Sequence, residues 1–173
     1  MSSSDKEYKQ LKREYHILAD NALEAIWVYD IKTKRFTYAS PSTSRLRGFS
    51  PEETLQQPLE EFMPRESLEK ANAMTELLLT RYMQGERRDE MLKGMGDYDI
   101  YCKDGSLKQV EVTVRFITDE ETGAMEILGV SRDVTERKQL EKQLRQLTEE
   151  LNQKNMILNE LVTRDALTGL FNR

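Results

Sequence analysis

Thiol chemistry is almost missing from this chain: Cys102 is its only cysteine. One thiol excludes an internal disulfide and any cysteine-built zinc site, and it suits a reducing cytosol. A basic excess is also missing. With 26 Lys and Arg against 31 Asp and Glu, the net charge is −5. There is thus no electrostatic footprint for nucleic acid, and neither half carries a polybasic arm for a membrane surface. Apolar runs stop after a few residues, far short of the roughly 20 that a membrane span needs. The start, M-S-S-S-D-K-E, has no apolar signal region. These absences predict a soluble, cytoplasmic chain without nucleic-acid or membrane contact in this segment.

What is present fits one ordinary domain with appendages. A 38% hydrophobic and 33% charged composition over 173 residues implies a modest core with exposed helices attached. Tyr8, Leu11, Tyr15, Leu18 and Ala22 recur at spacings of three and four, so residues 1–24 are expected to form an amphipathic helix whose narrow stripe meets the main domain or a second copy of itself. A-I-W-V-Y-D and R-F-T-Y-A-S, separated by the polar D-I-K-T-K-R, predict a hairpin. Ser40-Pro41 ends the second strand and Gly48 stops a one-turn helix. Ser50, Pro51 and Glu53 read as N-cap, first residue and early acid of the next helix. A longer helix is expected over 64–84, with Leu68, Ala71, Met74 or Thr75, Leu78 and Tyr82 on one face.

The remainder of the domain reads as β. A strand is expected around Tyr98 to Cys102, then a turn at K-D-G-S. Val110, Val112, Val114 and Phe116 alternate with polar residues. T-D-E-E-T-G makes a further turn, and M-E-I-L-G-V-S-R-D-V is the last strand. G-M-G at 94–96 lacks the helix and Lys-Ser/Thr of a phosphate loop and reads as a flexible strand entry. Two strands, several helices and three strands define an α+β domain over 25–134 around one antiparallel sheet.

From Thr135 the period turns helical. Leu140, Leu144, Leu147 and Leu151 fall at steps of four, three and four, the seam of a coiled coil over 135–163. Beyond Leu151 the seam has two continuations, through Lys154, Leu158 and Leu161 or through Asn155, Leu158 and Val162. Each places one polar residue inside. Two registers of similar energy form a bistable element.

The stretch Y-A-S-P-S-T-S-R-L-R-G-F-S-P-E-E, the turn K-D-G-S and the exit G-V-S-R-D-V-T-E-R-K together resemble a PAS domain. That resemblance implies a five-stranded antiparallel sheet with helices on one side. It also implies an Asp-x-Thr joint, here Asp133 and Thr135, that couples the domain to a signalling helix. The candidate pocket wall is Val28, Phe36, Tyr38, Leu46, Phe49, Leu78, Val112 and Val114, a set that would equally describe an ordinary core. Met63, Met74, Met91 and Met95 could fill that core or line an adaptable pocket. Trp27 reads as core. Haem-binding relatives take an axial histidine from the helical side of the pocket, whereas His16, the only histidine, is expected to be solvated. Flavin-adduct relatives carry a reactive cysteine in an Asn-Cys-Arg-Phe context, from which I-Y-C-K-D-G at Cys102 departs. Haem and a flavin adduct are therefore not expected, and the cofactor is left unknown.

The closing peptide 164–173 resembles the opening of a GGDEF (diguanylate cyclase) domain, whose pattern is met by Asp165, Leu167, Thr168, Leu170, Asn172 and Arg173. The Gly-Gly-Asp/Glu-Glu-Phe motif itself does not occur, so the segment is not expected to be an enzyme, although its parent would make cyclic di-GMP from two GTP. The resemblance implies a bacterial sensor acting as a homodimer through its N-terminal helix and coiled coil, with a possible small-molecule ligand. Two alternatives stay open. One is a ligand-free dimerisation module. The other is the sensor of a different signalling enzyme such as a histidine kinase, which predicts a phospho-acceptor histidine after the coiled coil; none occurs.

Overall fold

A computed structural model of the protein describes residues 24–86, 92–118 and 123–163, the last four of these by backbone alone. The helix expected before Glu24, the turn at 119–122, Met91, His16 and the closing peptide 164–173 lie outside the described residues. The chain divides into two compact units, one ending at Val134 and the other beginning at Thr135.

Strand β1, Ala25–Asp30, and β2, Arg35–Ala39, form the expected hairpin. Its turn is closed locally: the backbone N–H of Thr33 donates to Asp30 Oδ1 at 2.7 Å. That bond is the main reason the Asp30 carboxyl is held below its ordinary pKa. Helix α1, Ser42–Arg47, stops at Gly48, whose φ of 82° suits a residue without a Cβ. Helix α2, Pro51–Gln56, opens on a reciprocal capping box. The Glu53 N–H donates to Ser50 Oγ, and the Ser50 N–H donates to the Glu53 carboxylate. Ser50→Ala is expected to cost about 1 kcal/mol. A urea melt would check it, with Ser50→Asn as the variant that keeps most of the stability.

A short 3₁₀ turn, Leu59–Glu61, leads to helix α3, Arg65–Met83. Its inner face carries Ala71, Met74, Thr75 and Tyr82 around the fully buried Leu78, as the spacing predicts. Strands β3, Lys93–Tyr101, and β4, Leu107–Thr118, form a second hairpin, and β5, Met125–Asp133, completes the sheet. The order is β2-β1-β5-β4-β3, with every neighbouring pair antiparallel. The first and last strands are therefore central neighbours. The three helices pack beside the sheet's inner face, where Val110, Val112 and Phe116 are buried in strict alternation.

One local expectation is corrected. Gly94 and Gly96 are not a loose entry but lie within β3, paired with Val114 and Val112. A Cβ on Gly94 would collide with the Met74 thioether, and one on Gly96 would come within 2.9 Å of the Tyr98 hydroxyl. Close approach, not flexibility, accounts for glycine there.

The domain ends firmly. Val134 is 2% exposed and its N–H donates to Gln109 O at 2.9 Å. Lys108 Nζ pairs with Asp133 Oδ2 at 2.9 Å. The second unit contains helix α4, Thr135–Thr163, of 29 residues, with Glu136 in its first turn, where an acid suits the helix dipole. Along it Arg137 pairs with Glu141 and Arg145 with Glu149, one turn apart. Among the described residues no helix is long and apolar enough to cross a membrane.

Candidate ligand cavity between sheet and helices

The inner face of the sheet does not meet the helices everywhere. Between them lies a cavity of about 90 Å³, several times the roughly 10–15 Å³ needed to admit one water. Its walls come from all three helices and from the inner faces of β1 to β5.

Trp27 forms one side. Its partner across the β1–β5 ladder is Gly129, and the indole lies flat in the space where a side chain on Gly129 would stand. The indole Nε1–H donates to Ser131 Oγ at 2.8 Å, which satisfies its polar edge. Phe36 meets Trp27 edge-on at 5.6 Å and Tyr29 at 5.2 Å, and lies 4.7 Å from the Phe62 ring. Burial, then the nearby Glu60 and Asp30 carboxylates, push the Tyr29 phenol above its ordinary pKa. Burial does the same to Tyr98.

The opposite side holds a cation. Arg47, 3% exposed, lays its guanidinium over the Phe62 ring at 3.3 Å. Its Nε–H donates to Tyr101 O at 2.9 Å and its Nη1–H to Gln57 Oε1 at 3.3 Å. These bonds fasten α1 to the end of β3 and to the segment after α2. Desolvation lowers the Arg47 pKa to about 10, which leaves it charged at neutral pH.

Of the eight residues expected in the pocket wall, Phe36, Leu46, Leu78, Val112 and Val114 do line the cavity. Val28, Tyr38 and Phe49 do not. A bulge explains the first two. Val28 pairs with Tyr38, but Tyr29 pairs with Phe36, so Thr37 is an extra residue in β2. Simple alternation would put Phe36 and Tyr38 on one face. The bulge instead leaves Phe36 and Ala39 inside and turns Tyr38 outward with Val28. Phe49 follows the left-handed turn at Gly48, and its ring rests against Arg47 and Lys103 outside the wall. Trp27, read from the sequence as core, is a cavity residue, as are Met63 and Met74, whereas Met95 is exposed. Cys102 is buried, with its Sγ 3.9 Å from Leu46 O.

Sequence reasoning missed Arg47 and Thr54. Neither alternation nor periodicity picks out a polar residue on a one-turn helix as inward-facing. Asp133 and Thr135, expected to couple the domain to the helix, occupy the last position of β5 and the first of α4. Leu140, Leu144, Leu147, Leu151 and Leu158, expected to form a seam, are exposed on the single helix, 56–67% of each being accessible. Among the described residues no three or more His, Cys, Asp or Glu group together as a metal site would need.

Comparison with known proteins agrees with this architecture. The family model for the PAS fold matches residues 22–139, and the chain belongs to that family. The PAS domain of a protein from Colwellia psychrerythraea is similar at 21% identity and a TM-score of 0.56, with 73% of this chain and 98% of that one covered. The PAS domain of an HTR-like protein from Haloarcula marismortui gives 20% identity and a TM-score of 0.56, covering 75% and 97%. A sensory box histidine kinase/response regulator from Burkholderia thailandensis gives 19% identity and a TM-score of 0.55, covering 80% and 98%. At these identities the likeness concerns the fold. No curated protein matches the chain.

Proposed function

We propose that the chain is the sensory segment of a bacterial diguanylate cyclase, in which a ligand or partner acting on the PAS domain is relayed through a dimeric coiled coil to a GGDEF output domain. The observation that carries this reading is the succession at the end of β5. Asp133 is tied to Lys108, Val134 is buried and bonded to Gln109, and the next residue begins a 29-residue helix with an exposed leucine seam. Both anchors sit on β4, whose inner face lines the cavity. A change in the cavity therefore has a short route to the point where the helix leaves the domain.

The nature of the output rests on the closing peptide, where Asp165, Leu167, Thr168, Leu170, Asn172 and Arg173 keep the spacing of a GGDEF opening. Two GTP sites must meet face to face for cyclic di-GMP to form. Helix geometry would then set the rate by proximity and orientation. The register ambiguity at Lys154 and Asn155 supplies the switch: one pairing buries the lysine position, the other the asparagine position.

In the whole protein, disulfide crosslinking of Lys154→Cys should change relative to Asn155→Cys when the sensor is occupied. Identical yields with and without the input would sink the register switch. The output assignment has its own test. The full-length gene product should convert GTP to cyclic di-GMP while the 173-residue segment should not, and autophosphorylation from ATP instead would replace the cyclase by a histidine kinase.

A further inference from the structure

We propose that the cavity is built to receive a small organic anion, its carboxylate held by Arg47 Nη2 and the Thr54 hydroxyl and its body packed against the apolar walls. A ligand of this class would be the input of the sensor proposed above, and it rests on that reading for what binding accomplishes.

The cavity's hydroxyl groups separate into engaged and free. Thr43 Oγ1 donates to Ser40 O at 2.7 Å and Thr75 Oγ1 to Ala71 O at 2.9 Å, while Ser131 Oγ accepts from Trp27. Two wall residues each carry a buried polar atom without a partner among the described residues: Arg47 Nη2 and Thr54 Oγ1. Their residues are 3% and 1% exposed. Leaving such groups unbonded is unfavourable, more so when one is charged.

The structural duties of Arg47 do not explain the gap. Stacking on Phe62, bonding Tyr101 O and bonding Gln57 use the ring face, Nε and Nη1. All of these partners are neutral, and among the described residues no carboxylate pairs with the guanidinium. A buried cation thus lacks a carboxylate partner among the described residues, and the residue that carries it lines the cavity. A carboxylate supplies the missing charge and accepts from both Nη2–H and the Thr54 O–H, the arrangement in which hydrogen bonds are strongest. Most of the remaining wall, including Leu78, Val110, Val112 and Ile127, is apolar. It favours a carboxylate bearing a hydrocarbon body over a fully hydrated ion such as inorganic phosphate. The volume of about 90 Å³, below the roughly 150 Å³ of a cavity that holds benzene, restricts that body to a short branched chain.

Isobutyrate, pivalate and isovalerate, each against its amide, would test this on the 173-residue chain by thermal shift and titration calorimetry. At least one acid should raise the melting temperature and bind tenfold or more tightly than its amide. Thr54→Val keeps the side-chain shape, should leave the unliganded protein at least as stable, and should weaken that acid about tenfold. Arg47→Met should abolish the preference for acid over amide; should it fail to fold, Thr54→Val carries the test. No binding by any acid, or unchanged acid binding in Thr54→Val, overturns the anion site. Equal binding of acid and amide also overturns it, yet leaves a ligand-binding sensor standing. Acid binding without any change in crosslinking at 154 and 155 does the reverse, keeping the site and removing the switch.

Discussion

Gly129→Ala should destabilise the PAS domain by about 3 kcal/mol, the upper end of what overpacking by one methyl costs. Gly129 lies inside β5 opposite Trp27. A Cβ built there would overlap the Cζ2, Cε2 and Cη2 atoms of the indole, so the penalty comes from space. The indole has little freedom to retreat. Its Nε1–H is bonded to Ser131 and its ring meets Phe36 edge-on, while Phe36 is itself packed on Phe62. Moving Trp27 would break a part-buried hydrogen bond and disturb the aromatic row that walls the cavity. The urea midpoint should fall with the slope unchanged. In a Trp27→Leu background, where the collision is absent, the same alanine should cost far less. The difference between the two backgrounds isolates the Trp27–Gly129 contact. A loss below about 1 kcal/mol in the wild-type background would show that β5 can shift to accept the methyl.

That contact illustrates what a linear reading captures and what it leaves out. Elements set by local chemistry were legible: the capping box at Ser50, the stop at Gly48, the alternation of Val110, Val112 and Phe116, and the inner stripe of α3 all stand as the residue pattern predicts. Features set by pairing were not. The bulge at Thr37 reverses the side on which Tyr38 emerges, and nothing in R-F-T-Y-A announces it. The phase of β1 was equally open, because Ile26, Trp27, Val28 and Tyr29 are all apolar or aromatic. Gly129 was the one available clue, since a glycine within a strand marks a close approach by another group. Arg47 was illegible for a different reason. Its burial depends on an aromatic ring from the 3₁₀ turn and a carbonyl from β3, both distant in sequence. Charged residues are mostly exposed, so the prior pointed outward.

Leu144→Glu should turn the dimer proposed here into a monomer at micromolar concentration. On the single helix Leu140, Leu144, Leu147 and Leu151 are 57–67% exposed and follow one another at the spacing of a seam. Helices gain most of their stability from packing an apolar face, and this face has no covering within its own unit among the described residues. Burying one leucine side chain contributes roughly 1.5–3 kcal/mol, and a symmetric dimer counts each position twice. Losing both copies of Leu144 therefore costs about 3–6 kcal/mol, on the order of a hundredfold to ten-thousandfold in the dissociation constant. Two facing carboxylates add repulsion. Sedimentation velocity across a concentration series would measure the shift. Met156→Glu is the control: Met156 is as exposed as Leu144, at 67%, but stands outside both continuations of the seam. If the methionine variant dissociates and the leucine variant does not, the partner helix lies on another face, and the Lys154/Asn155 switch loses its geometric basis. If only the leucine variant dissociates, the seam is the interface, and the choice between those two residues becomes the place to look for the signal.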